Sequence, residues 1–138
     1  MGRRFRLSAL VPFTSMKSYV IMKREIRKEV WGKFQGHCAY CGKPLKFKDM
    51  QVDHKKPKRL GGTDDMSNLF PSCRRCNFYK STFTIEQFRE NLETIPERLH
   101  RTFIFNVGLD YGFWTDEKRE VKFYFEKVRD EDEEPLGR

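Results

Sequence analysis

No stretch of this 138-residue chain approaches the ~20 consecutive apolar residues that cross a bilayer. The apolar run in its opening, MGRRFRLSALVPF, is short, is broken by Ser8 and Pro12, and leads to no small-residue cleavage site. That argues against a secretory signal. Internal repeats are lacking, which removes solenoids and propellers. Acid is in deficit: 20 Asp and Glu stand against 28 Lys and Arg, for a net charge of +8. The last ten residues, RDEDEEPLGR, are net acidic, so the excess of base over the remainder is larger still. With no long apolar amphipathic face to accompany it, this charge points to a polyanion, nucleic acid before membrane. Cysteine is scarce, at four residues. In a chain without an export signal those thiols should stay reduced, which favours a metal over disulfides.

The four cysteines form two CxxC pairs, Cys38/Cys41 and Cys73/Cys76. Each tight turn delivers two sulfurs, and two turns complete one tetrahedral zinc shell without the neighbouring His37. Between the pairs lie Asp53-His54 and Asn68; Asn77 follows the last cysteine and Lys80 comes three residues later. Residues 50–55, MQVDHK, read as a short strand with Val52 inward and Asp53 and His54 near its end. Pro57, Gly61 and Gly62 enforce a loop. Asn68-Leu69-Phe70 returns as a second strand, which Pro71 should break. A helix starting near Arg74 would place Asn77 and Lys80 on one face, three residues apart. The order is strand, loop, strand, helix.

DH, then N, then CN with Lys80 three residues on, all within two CxxC pairs, resembles the HNH family of nucleases. The resemblance spans about a third of the chain. It implies a small ββα-metal core stapled by zinc; with the N-terminal helix and C-terminal helix/strand extension read from periodicity below, the fold class is α+β. The resemblance also implies that Asp53 and Asn77 hold a catalytic metal, that His54 activates water, and that Asn68 orients His54 by hydrogen bonding across the hairpin. The substrate so implied is DNA, approached through the minor groove and cut to 5′-phosphate and 3′-hydroxyl ends. The setting would be the cytoplasm of a bacterium or a phage-infected host. One position departs: many family members carry histidine where this chain has Asn77.

The residue types suit the chemistry. Phosphodiester hydrolysis must deprotonate water, stabilise the phosphorane and neutralise the departing 3′ oxygen; a divalent metal supplies the last two. Magnesium takes oxygen ligands and keeps several waters, so a carboxylate from Asp53 and an amide oxygen from Asn77 suffice. An amide is a harder ligand than imidazole, which favours Mg²⁺ or Mn²⁺ at this position. His54 is the candidate base, since free imidazole with a pKa of ~6.5 is mostly neutral at pH 7. Lys55, Lys56, Lys58, Arg59, Arg74, Arg75 and Lys80 are candidate phosphate contacts, against the plainer reading of solvated charge. Asn68 as a turn cap and Asn77 as a helix-terminal residue are the plainer alternatives for those two. The rival function is a non-catalytic zinc-knuckle module that binds nucleic acid through the same basic surface. RNA stays open as a substrate, a protein partner is unspecified, and no membrane role is expected.

Around this core the chain divides into a basic segment (1–19), one domain (20–128, with its ββα core at about 37–82) and an acidic tail (129–138), disordered from Asp130. Met22, Ile26, Val30 and Phe34 recur every four residues, predicting a helix from about Val20 to Gln35 with Lys23, Arg24, Arg27 and Lys28 on its solvated face. Gly36 should end it. Thr84 and Gln87 form a capping box ahead of Ile85, Phe88, Leu92 and Ile95. Pro96 stops that helix and opens another, with Leu99, Phe103 and Val107 on one stripe, although Thr102–Phe105 could be a strand. Val121, Phe123 and Phe125 alternate at strand period. Core packing is the favoured role for these aromatics, over a base-stacking platform.

Overall fold

The computed structural model describes residues 13–133. Residues 1–12 and 134–138, which hold most of the basic segment and the end of the acidic tail, lie outside the described residues, as does the side chain of Met22. The core is an antiparallel hairpin, β1 (Gln51–His54) and β2 (Leu69–Ser72), followed by helix α2 (Arg74–Lys80). Before it comes α1 (Phe13–Gly32). After it come α3 (Ile85–Glu93), α4 (Ile95–Leu99), α5 (Phe103–Asp110) and α6 (Tyr124–Glu133). This is the expected α+β arrangement, helices around a two-stranded sheet with the four cysteines clustered.

Pro71 does not break β2. It lies opposite Val52 in the ladder. Lys55 N–H donates to the Asn68 carbonyl, so alternation puts the Val52–Pro71 pair at a non-hydrogen-bonded position. The missing proline N–H therefore costs no ladder bond, and the Pro71 carbonyl accepts instead from Ala39 N–H at 2.8 Å. That contact draws the first CxxC turn onto the hairpin.

Helix α1 ends at Gly32, earlier than its apolar period suggested. Residues 33–36 form a turn in which Gln35 (φ 51°) and Gly36 (φ 75°) adopt left-handed backbone. At Gly36 a Cβ would stand 2.7 Å from the Trp31 ring, so glycine is required there for two reasons. Ile26, expected on the buried stripe, is exposed, while Val30 is fully buried. Polar anchors do the remaining docking. Arg27 Nη2 donates to Met50 O, Trp31 Nε1 to Leu45 O, and Lys33 Nζ to both Met66 O and Leu69 O. Arg27 is thus not part of a freely solvated face.

The main core gathers Tyr40, Phe70, Phe88, Phe123 and Phe125, with rings stacked, tilted or edge-to-face at centroid distances of 5.1 to 6.3 Å. Each buried phenylalanine contributes ~1.5–3 kcal/mol of transfer free energy. Phe123 and Phe125 are both buried, yet they form no strand: Phe125 already belongs to α6. Tyr124 N–H and Phe125 N–H donate to Tyr40 O and Ala39 O of the first CxxC turn, and Glu126 accepts from Phe123 N–H at 2.9 Å as the helix begins. The alternation of Val121, Phe123 and Phe125 thus records a chain clasping the cysteine turn. Helix α6 continues through Glu133, so Asp130 and the three residues after it are helical.

The capping box is formed: Thr84 Oγ1 accepts from Gln87 N–H, and Gln87 Oε1 from Thr84 N–H. Pro96 stands in the first turn of α4. Residues 103–105 are helical. Trp114 folds back to stack on Phe105 and donates to its carbonyl at 3.0 Å, passing so close to Gly108 that a Cβ there would lie 2.0 Å from its ring.

Candidate active site and metal centre

The two CxxC turns converge. The sulfurs of Cys38, Cys41, Cys73 and Cys76 all lie within 4.8 Å of one another, with Cys41 and Cys73 at 3.9 Å. Tetrahedral zinc with bonds of about 2.3 Å would need edges of roughly 3.8 Å, so the donor set fits a soft-ligand cation. Backbone amides support it: Cys73 N–H donates to Cys38 Sγ at 3.3 Å and Cys76 N–H to Cys73 Sγ at 3.5 Å. A hydrogen bond from Cys76 pushes the Cys38 thiol down to about 4. The bond to Cys38 pushes Cys76 up, and burial pushes up Cys41. Four crowded sulfurs cannot all ionise without a cation among them.

A separate cleft of about 300 Å³ has Asp53, His54, Asn77, Lys58, Arg59 and Ser81 in its lining and none of the four cysteines. Asp53 and His54 come from the end of β1 and Asn77 from α2, so ββα packing alone brings the three together. Asp53 is buried, and its Oδ2 takes both Lys80 Nζ, at 2.9 Å, and the hydroxyl of Tyr40. Burial and then the Asp53 charge hold the Tyr40 phenol well above its ordinary range, so it acts purely as a donor. Both partners fall on Oδ2, leaving Oδ1 able to face a cation. Among the described residues the Asn77 side-chain amide has no hydrogen-bond partner, so its oxygen is available too.

Lys80 overturns one expectation. It is 0% exposed, and its ammonium bridges Asp53 and the His54 carbonyl at 2.9 Å, so it cannot reach a phosphate at the surface. Lys55 also differs: its ammonium lies over the Phe70 and Phe125 rings, and it does not line the cleft. Lys58 and Arg59 line the cleft, Lys56 is exposed on the loop, and Arg74 and Arg75 are exposed on α2.

Asn68 is saturated elsewhere. Its Oδ1 accepts from Lys56 N–H at 2.8 Å, and its Nδ2 donates to Lys56 O and Thr63 O. It closes the loop between the strands, and the ring of His54 is held by another residue. The Asp64 carboxylate accepts from His54 Nε2 at 2.7 Å and from Lys58 Nζ at 2.7 Å. Hydrogen bonds from Lys58 and then His54 keep Asp64 below the usual carboxylate range. Asp64 and Tyr40 are site residues beyond those the motif points to. The TDD run after Gly61-Gly62 was a visible signal for the first; for the second there was none.

Residues 38–83 match the family model for the HNH endonuclease. The CRISPR-associated endonuclease Cas9 of Corynebacterium diphtheriae is 36% identical over 70 residues, covering 47% of this chain and 6% of that protein. The SPbeta prophage-derived YoqL of Bacillus subtilis, which carries a provisional HNH endonuclease name, is 34% identical over 80 residues, covering 48% of this chain and 34% of that one. Among solved structures, the type II-C Cas9 enzyme from Actinomyces naeslundii aligns with a TM-score of 0.47 at 25% identity, over 51% of this chain and 7% of that one. The chain thus spans only a minor part of the curated relatives it matches. The match to the HNH endonuclease model covers a third of the chain. Among the described residues, no helix is long and apolar enough to cross a membrane.

Proposed function

We propose that this domain is a metal-dependent endonuclease that hydrolyses DNA phosphodiester bonds. The observation that carries the reading is the single cleft lined by Asp53, His54 and Asn77 beside Lys58 and Arg59. A divalent cation held by Asp53 Oδ1 and the Asn77 amide oxygen would supply charge for the phosphorane and the departing 3′ oxygen. Two hard oxygen donors favour Mg²⁺ or Mn²⁺. With Nε2–H donated to Asp64, His54 keeps Nδ1 as the nitrogen that accepts a proton from water. Lys58 and Arg59 draw phosphate towards the cleft. The four-cysteine cluster takes zinc, and residues 20–128 act as one domain around it. A binding-only knuckle module would leave the free oxygen donors and the oriented histidine unexplained.

Incubation of the protein with supercoiled plasmid and Mg²⁺ tests this. Open-circular or linear product is expected, and it disappears with EDTA and in His54→Ala, while the variant still binds DNA. Intact plasmid with Mg²⁺ and with Mn²⁺, from folded protein holding its thiolate-bound metal, overturns the proposal.

A further inference from the structure

Helix α2 has a second face that the cleft does not use. Asn77 points into the cleft, and Cys76 and the wholly buried Lys80 point into the molecule. The remaining arc carries Arg74, Arg75 and Phe78, and Phe78 is 84% exposed. At 100° per residue, Arg74 and Phe78 (i, i+4) stand one above the other, and Arg74 is about 60° round the helix from Asn77. This arc is therefore continuous with the cleft. A hollow of about 600 Å³ lies beside it, lined by Lys43, Cys73, Arg74, Arg75 and Phe78. On the other side an apolar hollow of about 480 Å³ has Phe78 and Tyr79 in its wall and Arg75, Lys122 and Lys127 as its cations. Neither lining contains a carboxylate. A scattered exposed phenylalanine means little, but one standing between two acid-free, cation-bearing hollows beside a candidate phosphodiester site has a matching partner.

We infer that the exposed arc of α2 is a nucleic-acid contact in which Phe78 packs against bases while Arg74, Arg75 and Lys43 take backbone phosphates. Charge complementarity selects the partner: a polyanion leaving the cleft over α2 meets Arg74, Arg75 and Lys43, and no carboxylate lines either hollow. The aromatic ring adds what phosphate contacts lack, an apolar wedge or stacking surface that tolerates any sequence and favours steps that open easily. Phosphate contacts set affinity and its salt dependence, whereas a base contact does not release counterions. The two parts of the surface therefore have separable signatures.

The inference rests on the nucleic-acid reading above, and the test separates them. Binding is measured on the full-length, metal-replete His54→Ala protein, with a labelled duplex carrying 2-aminopurine, across a salt series. Phe78→Ala should weaken binding about tenfold with an unchanged salt slope, and should abolish the 2-aminopurine increase. Phe78→Trp should restore both. Arg74→Ala and Arg75→Ala should each reduce the salt slope by about one while keeping the fluorescence response. Binding by Phe78→Ala within about twofold of the parent, with the 2-aminopurine signal retained, overturns the inference and would leave Phe78 to a protein partner. Phe78 is exposed and packs in neither core cluster, so its removal leaves the core intact, and bound thiolate metal serves as the folding check. Cleavage by the parent with Phe78→Ala binding unchanged sinks this inference alone; Phe78-dependent binding without any cleavage sinks only the nuclease.

Discussion

Asp53 is held by Lys80, which the motif includes, and by Tyr40, which it does not. Tyr40 belongs to the first CxxC turn, so the same four-residue loop that supplies two sulfurs also orients the carboxylate of the cleft. Tyr40→Phe keeps the ring in the aromatic core and removes one donor. It should cost about 1 kcal/mol of stability and weaken divalent-cation binding about tenfold, seen by calorimetry with Ca²⁺ in the presence of duplex. Lys80→Met is a harsher change, because it strands a buried carboxylate. A loss of about 3–5 kcal/mol is expected in denaturant titrations. A Lys80→Met protein as stable as its parent would show that Asp53 does not rely on this pair. In the loop, a Cβ on Gly62 would lie 1.8 Å from the Lys56 carbonyl oxygen, so Gly62→Ala must displace the segment that carries Asp64.

At the scale of elements, local sequence signals sufficed wherever neighbours along the chain made the structure. The Thr84–Gln87 box formed as read, and Thr84→Ala should cost about 1 kcal/mol by thermal denaturation. The strand expected over Val121–Phe125 failed because its alternation reflects burial against the Tyr40 turn, and because Glu126, paired with Arg89, starts a helix. Helices α4 and α5 are tied to the following loop by His100, which meets Asp116 at 2.7 Å and Asn106 at 3.0 Å. The hydrogen bond to Asp116, then that to Asn106, raises the His100 pKa above 6.5. A raised value means that the tie is complete below 6.5 and is lost as pH rises through the folded-state value. Amide protection factors across residues 111–120, corrected for the base-catalysed rise of intrinsic exchange with pH, should fall over that window, and His100→Gln should remove that fall.

For the whole molecule, the cysteine cluster joins the hairpin, the first turn, α2 and, through Tyr40 and Ala39, the start of α6. A cation held there would add its binding free energy to folding. Chelation strong enough to strip the cluster should abolish cooperative unfolding, as followed by near-ultraviolet circular dichroism. The cleft behaves differently. The Lys80 ammonium already offsets the Asp53 charge. Free protein should therefore hold Mg²⁺ or Ca²⁺ weakly, and a duplex should tighten that affinity by adding phosphate oxygens, with reciprocal tightening of DNA by the metal. Equal cation affinity with and without duplex would contradict this account.

What the sequence determined by itself was whatever depends on spacing: the two sulfur-bearing turns, the hairpin between them, the helix that follows, and the placement of Asp53, His54 and Asn77 about one cleft. Turn residues, caps and helical offsets act over a few positions and leave a periodic trace. The tertiary structure alone decided that Lys80 is internal, that Tyr40 reaches Asp53 across 13 residues, that Asp64 meets the His54 ring, and that Arg89 anchors Glu126 across 37. Those contacts join residues with no common period, and a charge reads the same in sequence whether it faces water or a buried carboxylate. Only packing assigns it a partner.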